Sequence, residues 1–501
     1  MTDVGVAVLE RVQSGVPGLD VILGGGFLKG GLYIIQGPPG TGKTTLGNQI
    51  CFNHVAHANR AVFVTLLAEY HARMMQHLSV MKFFDASKIP DQLSYLNGLA
   101  ALHETGLRGF VSLLRKEVTS RRASVLVIDG LVTARRLAPD EQAFNEFIHD
   151  LQAVAIAAGC TVFILTSSRS DVIEPEHTMV DGIVELADEL AGWAAESSLQ
   201  VVKFRGSGFL RGRHAYKITS GGVVVHPRIE ALLSRPSRPD QGGDGDGRVV
   251  SGLEQLDTML GGGLPEASTT MVMGPSGTGK TTLGLEFLAA CTDTTPGLLF
   301  GFYETPKRID AKAAGVCPAL RNLIDSAVVE VLWQPPTDDL LDAYGERLLQ
   351  AVKRRKVKRL FIDGLGAFQS AAAGSGSDRI GMFLTALMNE MRILGVTTVY
   401  TLEVPDIMGP SIRTSIGDLS SLAENLILMR FVEAGSQLHR LISILKVRDS
   451  QFDQSLHEYE TSSQGLIIRP NSESAQAIML GVPIVAQRER NSGPARTGRR
   501  R

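Results

Sequence analysis

The sequence predicts an α/β chain of two tandem domains, each a mostly parallel sheet with helices on both faces and a hairpin at one edge. Three observations lead there. First, residues 37–45 read GPPGTGKTT and residues 274–282 read GPSGTGKTT. Second, the surroundings repeat as well. Ser14-Gly15, Leu19-Asp20 and Leu23-Gly24-Gly25-Gly26 return as Ser251-Gly252, Leu256-Asp257 and Leu260-Gly261-Gly262-Gly263, with one shift of 237 residues kept through Gly47 and Gly284. One module is therefore written twice. Third, apolar runs of strand length alternate with longer helical stretches inside each module, as in a parallel sheet buried on both faces.

Taken in order, residues 1–13 are a short lead, and Ser14 to Leu28 reads as a helix-bearing approach that ends in the glycine turn. Leu32 to Gln36 (LYIIQ) is a buried strand, followed by the glycine-rich loop and a helix from Lys43. Ala61 to Leu67 is a second strand, with a helix from His71 to Leu78. Ser124 to Ile128 and Cys160 to Thr166 are the third and fourth. Gln200 to Phe204 opens a hairpin that continues through Tyr216–Thr219 and Val223–Val225. Residues 234–247, SRPSRPDQGGDGDG, hold nothing apolar to bury and read as a linker. The second module repeats the order, with strands at Thr269–Met273, Gly297–Tyr303, Leu360–Ile362 and Val396–Leu402, and a closing hairpin from Arg440. A helical candidate spans Ala475–Leu480, and residues 485–501 form a basic tail that reads as disordered. The expected domains are thus 1–233 and 248–484.

Composition narrows the classes. A chain of 501 residues exceeds what one core holds. Hydrophobic content of 44 % with 20 % charged residues is a globular balance. A net charge of −2 and a pI near 6.6, with only two tryptophans (Trp193, Trp333), disfavour a nucleic-acid partner, which would call for a basic face. No apolar run reaches the ~18 residues of a membrane helix, and the N-terminus lacks a basic-then-apolar signal region. Cys51, Cys160, Cys291 and Cys317 lie far apart, without a C-x-x-C pair. They read as reduced thiols in a cytoplasmic protein.

The repeated loop has a physical task. In G-x-x-x-x-G-K-[ST] the glycines let successive backbone N–H groups converge on phosphate oxygens, and the following helix presents its positive end to the same anion. The loop residues are Gly40, Thr41, Gly42, Lys43, Thr44 and Thr45 in the first module and Gly277, Thr278, Gly279, Lys280, Thr281 and Thr282 in the second. Lys43 and Lys280 would reach the β- and γ-phosphates, and Thr44 and Thr281 would ligate Mg²⁺. Asp129 and Asp363 each end an apolar strand and precede a glycine. One such aspartate is commonly a turn cap. Its presence in both modules favours a carboxylate that orients the metal. Glu69 and Glu304 each follow the strand after the first helix and are candidates to polarise the attacking water. Lys203 with Arg205, and Lys446 with Arg448, are spaced two apart on a strand, which puts both cations of a pair on one face near the sheet edge, where they could cover a neighbouring subunit's phosphates. Arg121-Arg122 and Lys353–Lys356 precede buried strands and read as cations complementing helix C-termini. Met74-Met75 reads as core filler.

These residues together resemble the KaiC family of RecA-like ATPases. The likeness rests on the tandem S-G-x-x-x-L-D with three glycines, the two GTGKTT loops and the K-x-R pair closing each half, and it covers nearly all of residues 8–484. It implies two fused RecA-like P-loop domains, ATP and Mg²⁺ as ligands, a homo-hexamer with ATP at subunit boundaries, and slow hydrolysis in the first ring. It also implies self-phosphorylation of a Ser/Thr pair in the second ring, and a regulatory or signalling partner. The family carries two adjacent glutamates after the second strand, whereas the matching pairs here are Ala68-Glu69 and Tyr303-Glu304. The glycine after K-x-R is kept as Gly206 and replaced by Asp449. The family's phosphorylated segment corresponds to MGPSIRTSIGDLSS from Met408, which places the candidate phosphosites at Ser411, Thr414 and Ser415. Residues 475–483 resemble the family's C-terminal loop, and the regulator-binding tail beyond it is not matched.

The reading that follows is an ATP-hydrolysing, ring-forming regulator that phosphorylates itself. Two alternatives share the fold: a DNA-directed motor, which would need a basic groove or stacking loops, and a non-hydrolysing ATP-gated scaffold, motivated by the missing glutamates.

Overall fold

The computed structural model describes residues 9–66, 71–167, 175–191, 194–234, 247–335, 340–372, 379–404, 422–434, 437–448, 450–462 and 465–469. The chain divides into two compact units, Met1–Arg235 with Leu340–Glu346, and Pro236–Asp339 with Arg347–Arg501.

The strands of the first unit are β1 (Arg11–Val12), β2 (Phe27–Leu28), β3 (Leu32–Gln36), β4 (Ala61–Thr65), β5 (Leu93–Asn97), β6 (Val125–Asp129), β7 (Thr161–Thr166), β8 (Gly182–Ala191), β9 (Ala194–Phe204), β10 (Arg213–Thr219) and β11 (Gly222–His226). Among the described residues they form one nine-stranded sheet in the order β11-β10-β9-β8-β3-β7-β6-β4-β5, with β1 and β2 paired separately. From β8 to β5 every neighbour pair is parallel, and β9, β10 and β11 join antiparallel at the other edge.

The second unit repeats this plan with β12 (Arg248–Val249), β13 (Leu264–Pro265), β14 (Thr269–Gly274), β15 (Gly297–Gly301), β16 (Val329–Trp333), β17 (Arg359–Asp363), β18 (Thr397–Glu403), β19 (Asn425–Ala434), β20 (Gln437–Val447), β21 (His457–Ser462) and β22 (Gly465–Ile468). Its sheet order is β16-β15-β17-β18-β14-β19-β20-β21-β22. Two tandem α/β domains with a mostly parallel sheet are therefore present, as the repeated motifs require.

Side chains of the central strands alternate between two apolar layers, because successive residues of a strand face opposite sides. Ile35, Phe63, Val127 and Phe163 pack with Leu46 and Ile50 of the helix Lys43–Ala56 on one side. Ile34, Val64, Ile128 and Ile164 pack with Phe110, Leu114, Phe147 and Leu151 on the other. All eight strand side chains are at most 1 % exposed. Strands covered on both faces hold the loops at their C-terminal ends in place.

The structure fills in the approach and adds strands that the sequence reading lacks. The approach from Ser14 holds only one helical turn, Leu19–Ile22, strapped by the β1–β2 pair. The repeated S-G-x-x-x-L-D is a local brace: the Asp20 carboxylate accepts Ser14 N–H at 2.9 Å, and Asp257 accepts Ser251 N–H at 2.7 Å. The edge strands β5 and β16 escape an apolar search because they are covered on fewer sides: Leu93 is fully buried, while Asn97 and Trp333 face solvent. Strand β8 escapes because Glu185, Asp188 and Glu189 dilute its apolar pattern.

The basic runs do cap helices. Arg121 closes the helix Leu99–Arg121 and pairs with Glu117 at 2.8 Å. Lys353 and Arg354, in the last turn of Leu341–Arg355, pair with Glu390 at 2.9 Å and Glu330 at 2.7 Å. Met74 is buried with Met75 against it, and the four cysteines are free and buried. No described helix is long and apolar enough to cross a membrane. The linker core and the candidate helix Ala475–Leu480 lie outside the described residues.

Candidate functional site

Each phosphate loop leaves a buried central strand and enters a helix at its lysine. Strand β3 delivers residues 37–42, and the helix Lys43–Ala56 follows; β14 delivers residues 275–279, and the helix Lys280–Ala289 follows. Gly42 and Gly279, which precede the lysines, have φ of 88° and 95°. That left-handed conformation is open to glycine at little cost. The loops are stapled alike. Thr41 donates to the Pro38 carbonyl at 2.9 Å, and Thr278 donates to the Pro275 carbonyl at 2.9 Å.

The lysines fold back over their own loops. Lys43 Nζ donates to the carbonyls of Gly37 and Pro38, both at 2.7 Å, and Lys280 Nζ donates to those of Gly274 and Pro275, also at 2.7 Å. Burial lowers the pKa of both ammonium groups; Asp129 opposes it for Lys43, and Glu403 then Asp363 for Lys280. A half-buried ammonium held by neutral carbonyls gains when a phosphate oxygen replaces them, since charge-assisted bonds are stronger.

The candidate metal residues of each half meet in a hydroxyl–carboxylate pair. Thr44 Oγ1 donates to Asp129 Oδ2 at 2.8 Å, and Thr281 Oγ1 donates to Asp363 Oδ2 at 2.9 Å. Strand pairing sets them: Asp129 is in register with Thr65 and Asp363 with Gly301. A hydroxyl and a carboxylate are hard oxygen donors of the kind Mg²⁺ takes, so these residues fit the metal that the loop chemistry calls for. The second pair is reinforced, because Asp363 Oδ1 accepts Thr401 Oγ1 at 2.9 Å and Thr401 Oγ1 accepts Gly364 N–H at 2.8 Å. Burial pushes the Asp363 carboxyl above its usual range, against the hydrogen bonds from Thr401 and Thr281.

The glutamates differ. Glu304 is ion-paired through Oε1 to Lys312, and its Oε2 is buried without a hydrogen-bond partner. Beside the larger effect of burial, its charge also raises Asp363. Glu69 lies outside the described residues. Glu304 stands three positions after Gly301, the partner of Asp363, whereas Glu69 stands four after Thr65, the partner of Asp129. By that count Ala68, not Glu69, matches Glu304.

The cation pairs close onto their own half. Lys203 Nζ donates to the carbonyls of His177 at 2.9 Å and Thr178 at 3.0 Å, and Arg205 donates to Thr178 O at 2.7 Å. Both therefore lie on one side, although β9 ends at Phe204 and Arg205 stands just beyond it. Lys446 donates to Ala423 O at 2.9 Å, and Arg448 lies 4.0 Å from Glu424. Both strands carry a register shift beside the lysine, between Ile183 and Val184 and between Leu426 and Ile427 on the partner strand. Ser411, Thr414 and Ser415 lie outside the described residues.

Sequence reasoning missed Glu403 as a member of the second site. It ends β18 in register with Gly274 at the start of the loop, and its charge raises the basicity of Lys280. Period-two alternation places it on the same face as Thr401, which is the signal that could have found it. In the first half the corresponding positions, counted from Leu32↔Val162 and Thr269↔Thr398, are Ser167 and Leu165.

A family model described as ATPase: KaiC matches residues 12–230 and 249–473. Among curated proteins, the chain is 24 % identical over 496 residues to one named Circadian clock protein KaiC3 from a Synechocystis species, covering 95 % of each chain. It is 24 % identical to one named Circadian clock oscillator protein KaiC from Parathermosynechococcus lividus, covering 95 % of this chain and 88 % of that one. A protein of the same name from Acaryochloris marina is 23 % identical, with 95 % and 91 % covered. With both halves matched nearly end to end and both phosphate loops built alike, the chain belongs to the KaiC family of ATPases.

Proposed function

We propose that this chain is an ATP-hydrolysing, ring-forming regulator of the cytoplasm that binds ATP and Mg²⁺ at both phosphate loops and phosphorylates itself in its second half. The observation that carries the reading is the duplicated pairing of Thr44 with Asp129 and Thr281 with Asp363 beside loops whose lysines hold only neutral acceptors. On ATP binding, the loop N–H groups cradle the phosphates and each lysine exchanges its carbonyl partners for phosphate oxygens. Thr44 with Asp129, and Thr281 with Asp363, would hold Mg²⁺, which would supply positive charge against the charge that develops on the phosphates. Glu304 orients the water in the second half; in the first, Ala68 stands at the matching position and the adjacent Glu69 is the acid left for a weaker version of that role. Lys203 and Arg205, and Lys446 and Arg448, complete the pocket of the next subunit, and a closed homo-hexamer gives every pair a pocket to serve. Ser411, Thr414 and Ser415 receive phosphate; they follow in sequence from Val404, whose N–H donates to Gly274 O at 3.3 Å. The curated relatives are clock proteins by name, which supports a regulatory use of ATP and a protein partner.

Sizing with and without ATP tests the assembly, using Lys43→Ala and Lys280→Ala separately. Nucleotide-dependent rings lost in one variant support it, and a monomer under all conditions contradicts it. Labelled γ-phosphate ATP followed by peptide mapping tests the kinase claim, which fails if label is absent from Ser411, Thr414 and Ser415. One observation favours a second reading, the ATP-gated scaffold: Glu304 is already neutralised by Lys312. Wild-type turnover equal to that of Glu304→Gln would select the scaffold.

A further inference from the structure

Both phosphate loops are roofed by one face of an antiparallel strand, the second from the edge of its sheet, and the roof carries a tyrosine hydroxyl in each half. Tyr216 of β10 donates from its hydroxyl to the Thr41 carbonyl at 2.7 Å, and Tyr459 of β21 donates to the Thr278 carbonyl at 2.6 Å. The rings are 2 % and 1 % exposed. Two residues further along each strand, on the same face, Ile218 and Thr461 close over the next loop residue. A Cβ placed on Gly42 would lie 2.5 Å from Ile218 Cδ1, and one on Gly279 would lie 3.0 Å from Thr461 Cγ2. The tyrosines are 243 positions apart while the loops are 237 apart. The contact therefore survives a six-residue difference in the intervening chain, which points to a requirement of the loop rather than to copied spacing.

The geometry has a direct consequence. In a planar trans peptide the C=O and the following N–H point in opposite directions. Holding the Thr41 carbonyl out towards Tyr216 therefore turns the Gly42 N–H inward, and Tyr459 does the same for Gly279. These two amides belong to the row that faces the phosphates. We propose that Tyr216 and Tyr459 are positioning residues for the nucleotide: each aims one loop amide at the phosphate before ATP arrives. Burial pushes the Tyr216 phenol up to about 12 and raises Tyr459 as well, so both remain neutral donors at working pH. Pre-aiming a donor removes a reorganisation cost at binding, so the effect falls on affinity.

This inference rests on the ATP-binding reading of the loops, and the test separates the two. Tyr216→Phe is made in a Lys280→Ala chain and Tyr459→Phe in a Lys43→Ala chain, so that one loop reports at a time. Phe keeps the buried ring and removes only the hydroxyl. Kd for ATP and ADP with Mg²⁺, KM, kcat and the nucleotide-free Tm are measured. The expected result is a rise of about three- to tenfold in Kd and KM, the size of one lost net hydrogen bond, with a smaller change in kcat. A lowered Tm with unchanged Kd and KM would make the hydroxyls merely structural and overturn the proposal. Parent chains that bind no nucleotide would instead defeat the ATP-binding reading.

Discussion

The roof over the first loop makes a graded prediction from two glycines. Gly40 and Gly42 both sit in the left-handed region, with φ of 91° and 88°. A Cβ on Gly40 meets open space, whereas one on Gly42 meets Ile218 Cδ1 at 2.5 Å. Gly40→Ala therefore carries backbone strain alone, ~1–2 kcal/mol. Gly42→Ala carries the same strain and a clash with the far end of a half-exposed side chain, for which the low end of overpacking, ~1 kcal/mol more, applies. If the loop relaxes to escape the strain, phosphate binding must restore it, so the cost appears in affinity. In a Lys280→Ala chain, Gly40→Ala should raise the ATP Kd roughly 5- to 30-fold, and Gly42→Ala about fivefold further. Adding Ile218→Ala to Gly42→Ala should bring Kd back to the Gly40→Ala level. Equal losses for the two alanines, or no recovery with Ile218→Ala, would refute the roofed-loop geometry.

Other expectations follow from the same site. Asp363 titrates above the ordinary carboxylate range because it is buried. A carboxyl raised in the folded state contributes stability below its unfolded pKa and loses it as pH rises through the folded value. Nucleotide-free Asp363→Asn should therefore be no less stable than wild type at neutral pH and show a flatter pH dependence between acid and neutral, measured by thermal melts of the second unit. Mg²⁺-dependent ATP affinity at Lys280 should also fall on acidification before pH reaches ~3.9, the unperturbed Asp value; a loss only below that would contradict the burial argument. Glu304→Gln should slow turnover at least tenfold, and Glu69→Gln by much less, because Glu69 is one position out of step with Glu304 relative to the strand aspartates; steady-state phosphate release decides. Mixed assemblies of Arg205→Ala and Lys43→Ala chains should recover first-half hydrolysis, since one subunit keeps an intact loop and its neighbour an intact cation pair. No recovery would place Arg205 in its own subunit's site or outside catalysis.

How much of this was legible depends on how local each constraint is. The phosphate loops, the strand-end aspartates and the duplication are written in contiguous residues, and the structure pairs Thr44 with Asp129 and Thr281 with Asp363 as that pattern requires. The parallel centre of each sheet was legible because strands buried on both faces must be continuously apolar. The edge strand β5 and the inner strand β8 were not, because both carry polar residues among their apolar ones. The loop roof was invisible for a different reason. Tyr216 meets Thr41 across 175 positions, and its hydroxyl acts on a backbone carbonyl, which leaves no side-chain pattern to find. Glu403 was half hidden: alternation marks the face it shares with Thr401, and strand register then seats it beside Gly274. Register also separates Glu304 from Glu69, which a comparison of short motifs treats as equivalent.

The central claim is that each half grips a nucleoside triphosphate with its own phosphate loop. Titration calorimetry of ATP with Mg²⁺ into the full chain tests it most directly. The account predicts two sites per chain for wild type and one each for Lys43→Ala and Lys280→Ala. A wild-type chain that takes up no nucleotide, or variants that each retain both sites, would contradict it.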